Sequence, residues 1–225
     1  MKKRVYTSIL SALMFMAASQ TEKITGGGGH FRAGYANYNM ASMNGWLSDV
    51  YPNIRKDFIS FGASGYAVRN NLIIGGEGFG LTGASVSKDT MSIAPYIGMG
   101  MLNIGYALYR KRYFLIYPLF GVGGGDLSYR FREIEGGQGQ VNVIKDVDYK
   151  LKCSAFLLSI AVGADKYVIK ANNRGISIGL RMGYTFAIQN GNWKKKNTEV
   201  AGPNLNLSGF FFTIAFGGGH LSKGE

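Results

Sequence analysis

The run Ile176-Ser177-Ile178-Gly179-Leu180-Arg181-Met182-Gly183-Tyr184-Thr185-Phe186-Ala187 decides the fold. Ile176, Ile178, Leu180, Met182, Tyr184 and Phe186 fall on one face of an extended chain; Ser177, Gly179, Arg181, Gly183, Thr185 and Ala187 fall on the other. Side chains alternate across a strand with period two, whereas a helix repeats near 3.6, so the run reads as a strand. Its twelve residues exceed the ~5–6 of an ordinary strand and meet the ~9–11 that a tilted strand needs to cross a bilayer.

The same alternation recurs on both sides of this run. Phe156, Leu158, Ile160, Val162 and Ala164 alternate with Leu157, Ser159, Ala161, Gly163 and Asp165; Phe210, Phe212, Ile214 and Phe216 alternate with Phe211, Thr213, Ala215 and Gly217. Ile59, Phe61 and Ala63 alternate with Ser60, Gly62 and Ser64, and Met91, Ile93, Pro95, Ile97 and Met99 with Ser92, Ala94, Tyr96, Gly98 and Gly100. Eight strands result, over residues 30–40, 57–68, 72–85, 91–108, 113–132, 151–169, 176–190 and 204–219. Strands 72–85 and 113–132 alternate poorly, which points to bulges.

Composition agrees. Hydrophobic residues are 46% and charged residues 17%, where about 25% charged is usual, which excludes a disordered chain. Gly is abundant at 34 of 225 residues, Tyr and Phe number 14 each, and Pro only 4. Gly costs about 1 kcal/mol per helical position, so this mixture favours strands over long helices. A single cysteine, Cys153, excludes a disulfide framework and reads as a lone buried or lumenal thiol; with two histidines a Cys/His zinc site is excluded too. No metal and no cofactor are expected.

Met1-Lys2-Lys3-Arg4 precedes an uncharged, mainly apolar stretch from Val5 to Ala18, and Ala17-Ala18-Ser19 supplies small residues at a peptidase site. This is the pattern of a cleavable export signal, and the stretch is shorter than the ~20 residues of a spanning helix. The expected division is a signal peptide at 1–19, a Gly-rich linker at 20–29, a barrel at 30–220 and a tail at 221–225.

A strand protein that spans a bilayer must satisfy every backbone group internally, so its sheet must close. The expected fold is therefore all-β: an eight-stranded antiparallel up-and-down transmembrane β-barrel. Connections alternate in length. Arg69-Asn70-Asn71, Tyr109–Arg112 and Lys170–Gly175 are short turns, while Ala41–Lys56, Val86–Thr90, Glu133–Lys150 and Gly191–Pro203 are longer. Bacterial outer-membrane barrels place short turns in the periplasm and long loops outside. In the first long loop, Met43, Trp46, Leu47, Val50 and Tyr51 share one helical face, which predicts a short helix over the barrel mouth, ended by Pro52 and Asn53. Tyr35, Tyr38, Tyr96, Tyr106, Tyr109, Tyr113, Tyr167 and Tyr184 lie along strands, some as interfacial girdles and others as packing.

Asp57-Phe58-Ile59-Ser60-Phe61-Gly62-Ala63-Ser64-Gly65-Tyr66 and Asn70-Asn71-Leu72-Ile73-Ile74-Gly75-Gly76-Glu77-Gly78-Phe79-Gly80, preceded by Gly45-Trp46-Leu47 and Tyr51-Pro52, resemble small outer-membrane β-barrels of Bacteroidota-type bacteria, with an OmpA/OmpX-like eight-stranded architecture. Gly209-Phe210-Phe211-Phe212-Thr213-Ile214 resembles in part the terminal assembly signal of outer-membrane proteins. The resemblance covers most of residues 30–220 and implies a barrel in the outer membrane, inserted by the barrel-assembly machinery. It implies no substrate.

Candidate sites follow from charges placed in strands. Glu77 would cost a few kcal/mol facing lipid, so it belongs in the lumen; Arg181 lies on the polar face of its strand, and Arg32 is out of phase with Phe31 and Ala33. Arg32, Glu77 and Arg181 are expected to form a lumenal charge cluster, either a structural ion pair or a gating group. Trp193, Lys194, Lys195 and Lys196 form the densest basic run, a candidate contact for lipopolysaccharide phosphates, or simply a solvated loop.

Three functions compete: a non-enzymatic envelope barrel with a structural or loop-binding role, a narrow porin, and a lipid-modifying enzyme such as a lipid A acyl hydrolase or transferase. The last needs a nucleophile, a base and an orienting group near the outer leaflet, whereas His30 and His220 fall at periplasmic strand ends and Asp126, Glu133 and Glu135 lack a spaced partner. No catalytic residue is expected. Gly75–Gly80 and Gly121–Gly125 lack the spacing of nucleotide-binding loops and read as strand glycines. The charge of +12 is not organised as a nucleic-acid surface, and a monomer is expected.

Overall fold

A computed structural model describes residues 23–47, 53–88, 91–111, 114–135, 143–171, 174–189, 192–196, 198–204 and 207–223. Eight long strands form one closed antiparallel barrel: β1 (Ile24–Tyr38), β2 (Asp57–Arg69), β3 (Leu72–Gly83), β5 (Met91–Tyr106), β7 (Phe114–Glu135), β8 (Val143–Ala171), β9 (Arg174–Gln189) and β12 (Gly209–Lys223). Each pairs with its neighbour in that order, and β12 returns to β1 from Ile24↔Lys223 to Tyr38↔Gly209. Four short strands decorate the connections: β4 (Val86–Lys88), β6 (Tyr109–Lys111), β10 (Trp193–Lys195) and β11 (Thr198–Val200). The signal segment lies outside the described residues.

The alternation read in β9 becomes geometry. Ile176, Ile178, Leu180, Met182, Phe186 and Ile188 are exposed on the outer wall, while Ser177, Arg181 and Thr185 are buried in the lumen. Phe156, Ile160 and Val162 of β8 and Phe210, Ile214 and Phe216 of β12 continue the outer apolar band. Closure leaves no edge, and this band is the surface such a barrel presents to hydrocarbon.

Three expectations need correction. First, Gly26–Gly29 are not a linker: they pair with both β12 and β2, so β1 begins at Ile24 and His30 sits in mid-strand. A Cβ on Gly26 would lie 2.1 Å from the His220 carbonyl oxygen, so only glycine fits that approach. Second, residues 133–150 are not mainly loop. After a bulge between Phe131 and Glu133, β7 and β8 keep pairing to Glu135↔Val143, and β12 likewise runs on to Lys223. Third, the apolar face of β5 points inward: Ile93, Ile97 and Met101 are buried, and Tyr96, Leu102 and Ile104 are exposed.

The lumen is consequently layered. Tyr38, Phe58, Ile93, Ile97, Leu127, Phe131 and Leu157 belong to an apolar core in its outer half. Ile24, Val68, Ile73, Leu115 and Leu119 belong to a second at the other end. Tyr38 and Tyr167 are buried lumenal residues, while Tyr35, Tyr96 and Tyr106 are exposed on the outer wall; Tyr113 lies outside the described residues.

Helix α1 (Ala41–Leu47) caps the outer mouth, with Met43 and Leu47 buried against the outer core; Trp46, expected on the same face, is instead turned outward. Asn39 Oδ1 accepts from the Ala41 N–H at 3.0 Å, a local cap of the first turn. Asn44 ties the loop back through its amide: it accepts from the Ile54 N–H at 2.8 Å and donates to the Ile54 carbonyl at 3.0 Å. Val50, Tyr51 and Pro52 lie outside the described residues. At the opposite end, Asn70 and Asn71 take φ of 50° and 70°, the left-handed pair of a two-residue hairpin turn. Asn71 also accepts from the Ile24 N–H at 3.0 Å through Oδ1, which locks the start of β1 to this turn.

Candidate functional site: a braced lumen

Between the two apolar cores lies a polar belt. β3 and β9 are four strands apart in the ring, hence diametrically opposite, and Arg181 Nη1 lies 2.5 Å from Glu77 Oε2 with both side chains buried. This ion pair spans the barrel. Arg32 Nη2 donates to Thr213 Oγ1 at 2.6 Å, and Thr213 is the cross-strand partner of Arg181. The three residues expected to cluster do come together.

A second strut crosses the ring from β2 to β8, again opposite strands. Tyr66 OH donates to Asp165 Oδ2 at 2.7 Å, and Tyr117 OH donates to the same oxygen at 2.8 Å. Tyr167 meets Tyr66 hydroxyl to hydroxyl; with Tyr66 donating to Asp165, Tyr167 is the donor in that contact. Tyr117 also lies against Arg181, which joins the two struts. Two guanidinium groups, Arg32 and Arg181, thus share the belt with two carboxylates, Glu77 and Asp165: Arg181 is ion-paired with Glu77, Arg32 is held by Thr213, and the Nε atoms of both arginines are buried without a hydrogen-bond partner among the described residues.

Glycines make the belt possible. Tyr117 is paired across the ladder with Gly163, where a Cβ would sit 2.4 Å from its ring; Asp165 is paired with Gly179, where a Cβ would sit 2.1 Å from Oδ1. Arg32 lies between Gly62 and Ala215, and Tyr66 between Gly28 and Gly75. Large inward side chains opposite small ones are how an eight-stranded lumen fills.

Asp165, Tyr66, Tyr117 and Tyr167 were not among the expected site residues. The phase of Asp165 was legible beside Ala164; its contact with Tyr66 depends on a register between segments 99 residues apart. His30 is also in the belt: its Nε2 is 2.7 Å from Ser177 Oγ, and its ring stacks on Tyr66 at 5.5 Å. His220 is exposed on β12. Small cavities flank the Glu77–Arg181 pair, one toward Phe79 and Met99 and one toward Tyr66 and Asn103, each with room for one or two waters.

The basic run divides. Lys194, Lys195 and Lys196 are exposed, but Trp193 is buried: its ring faces Tyr129 at 5.9 Å and its Nε1–H donates to the Pro203 carbonyl at 2.7 Å. Trp193 therefore anchors the hairpin and does not share the exposed surface of the lysines. Among the described residues, no group of three or more His, Cys, Asp or Glu side chains could hold a metal ion.

No family profile matches the chain, and no curated protein matches it. Solved structures do. A major outer membrane protein from Thermus thermophilus aligns with a TM-score of 0.45 at 12% identity, over 88% of this chain and 99% of that one. OprG, an outer membrane protein from Pseudomonas aeruginosa, aligns at 0.42 and 10%, over 89% and 96%. Ail, the attachment invasion locus protein of Yersinia pestis, aligns at 0.41 and 12%, over 90% and 100%. This chain is similar to these proteins in outline only, and at such scores the likeness assigns it no activity.

Proposed function

We propose that this chain is a non-enzymatic, non-conducting β-barrel of the bacterial outer membrane, exported with a signal peptide, inserted by the barrel-assembly machinery and monomeric there. Its role in this reading is structural or loop-mediated, at the cell envelope. One observation carries the proposal: the braced polar belt lies between two apolar cores that fill the lumen on either side. An ion crossing it would shed its hydration at two apolar layers and separate a pair of charges that spans the diameter. The test is conductance of the purified, folded chain in a planar bilayer. No unitary steps are expected; reproducible steps of one size would replace the proposal with the narrow-porin reading.

One contact favours a second reading, that of a lipid-modifying enzyme. His30 and Ser177 stand at the spacing of a base and its nucleophile. Both are buried, however, at 5% and 0% exposure, in mid-lumen and remote from any acyl chain on the outer wall. In the reading we favour, the contact holds β1 to β9 across β12. Hydrolysis of a phospholipid or glycolipid that is lost in both His30→Ala and Ser177→Ala would establish the enzyme instead.

A further inference from the structure

The exposed lysines of the 193–196 hairpin belong to a larger surface that only the register reveals. On the wall formed by β5, β7, β8 and β10, Tyr129, Phe131, Leu151 and Trp193 point inward and are buried. Alternation then sends Arg130, Arg132, Lys150, Lys152 and Lys194 to the outer face. Arg130 is directly paired with Lys150, and Lys152 directly with Lys194. Like charges at directly opposite positions are destabilising, yet the ladder places Lys152 and Lys194 in that register. Trp193 is seated on Gly202, where a Cβ would lie 2.2 Å from the indole, and this fixes Lys194 beside Lys152.

Among the described side chains, two acidic residues share this face. Glu199 is paired with Lys194 and accepts from Asn192 Nδ2 at 3.0 Å; Asp126, at the foot of the wall, accepts from Ser154 Oγ at 2.6 Å. Among the described side chains of this face, five are basic and two acidic.

Its position names the partner. Following β8 downward, Lys152 is succeeded on the same face by Ser154 and then by exposed Phe156, Ile160 and Val162 of the apolar band. Lys152 stands four residues beyond Phe156, about 13 Å along the strand and roughly 10 Å along the barrel axis after tilt. That is headgroup depth, directly continuous with the surface that contacts acyl chains.

We propose that Arg130, Arg132, Lys150, Lys152 and Lys194 form a docking surface for a phosphorylated lipid headgroup of the outer leaflet, whose phosphates sit against the facing Lys152 and Lys194 while its acyl chains run down the band below Phe156. The proposal rests on the outer-membrane reading and gives that barrel a specific lipid class. A soluble polyanion would have no use for the adjoining apolar band.

The experiment uses the full mature chain folded in neutral detergent, titrated with bisphosphorylated lipid A, dephosphorylated lipid A and inorganic phosphate. Phosphorylated lipid is expected to bind on the order of tenfold more tightly than its dephosphorylated form. That preference should vanish in Arg130→Gln/Lys152→Gln/Lys194→Gln, survive in Lys152→Arg/Lys194→Arg, and be untouched by Lys88→Gln on β4. Each variant is first shown to keep the heat-modifiable gel mobility of a folded barrel, and the single Lys194→Gln, on the short β10, gives a milder variant with a partial loss. Equal affinity for the two lipids, or a preference that persists in the triple variant, overturns the proposal. Binding of inorganic phosphate as tight as that of the lipid overturns its lipid half. The underlying reading fails separately, by fractionation of the native protein away from the outer membrane.

Discussion

Arg181 on β9 reaches Glu77 on β3 across the full width of the barrel, 2.5 Å from guanidinium nitrogen to carboxylate oxygen. The contact is the hub of the lumen, because Thr213 ties Arg32 to it and Tyr117 links it to Asp165. Deleting either partner leaves a buried charge alone, whereas replacing both removes the charges together. We expect Arg181→Met or Glu77→Gln to cost about 3–5 kcal/mol, and the double variant Arg181→Met/Glu77→Met to recover most of that loss. Denaturant midpoints of the folded band in detergent would measure it; additive losses in the double variant would mean the pair is not coupled.

Asp165 Oδ2 accepts from two tyrosine hydroxyls whose rings lie side by side, 6.3 Å apart. Tyr66→Phe removes one donor, and it also orphans the Tyr167 hydroxyl that meets it. Tyr117→Phe removes the other donor together with the Tyr117 contact to Arg181. Each lost buried hydrogen bond costs about 1–3 kcal/mol, so both variants should lose more stability than a single hydrogen bond supplies. The same denaturation series decides it, and an unchanged midpoint in Tyr66→Phe would exclude the Tyr66–Asp165 contact from the strut.

Glycine substitutions separate lumen from wall. An alanine methyl at Gly163 would enter the Tyr117 ring, and one at Gly179 would meet the Asp165 carboxylate, while at Gly100, on the outer wall, nothing lies within 4 Å. Overpacking costs about 1–3 kcal/mol. Gly163→Ala and Gly179→Ala should therefore unfold at lower denaturant than the parent chain, with Gly100→Ala indistinguishable from it. Equal tolerance at all three positions would show a lumen looser than described.

What could be read beforehand depended on which side of the wall carried the signal. In β9 the lipid face is uniformly apolar and the lumen face uniformly small or polar, so period two stands out and the phase is unambiguous. In β5 both faces are apolar, since Ile93, Ile97 and Met101 fill the outer core opposite Leu102 and Ile104, and the phase cannot be told from polarity. Residues 133–150 scatter apolar side chains among glycines and charges, so strand looks like loop. Gly26–Gly29 look like a linker because their role is to be absent, making room for the carbonyls of β12 and β2. Arg32, Glu77 and Arg181 were legible as a cluster because a charge in a spanning strand has only one tolerable side. Tyr66 with Asp165 was not, because a hydrogen bond across the ring needs the register of every strand between them.

Trp193 offers a test of the hairpin and of the barrel's orientation together. The indole is buried against Tyr129, bonded to the Pro203 carbonyl and seated on Gly202, and the exposed tripeptide Lys194-Lys195-Lys196 rides on it, with Lys196 at a turn φ of 46°. Truncating a buried Trp to Ala costs about 3–5 kcal/mol when the loss falls on the global fold. Here it should fall on local opening of β10 and β11, since the eight long strands close without them. On intact cells, trypsin is therefore expected to cut at Lys194–Lys196, and to cut several times faster in Trp193→Ala, while the remaining barrel keeps its heat-modifiable mobility. Arg69, at the tight turn locked by Asn71, should stay protected until the outer membrane is breached. Cleavage at Arg69 with the three lysines protected would invert the barrel in the membrane, and would move the basic wall to the inner leaflet with it.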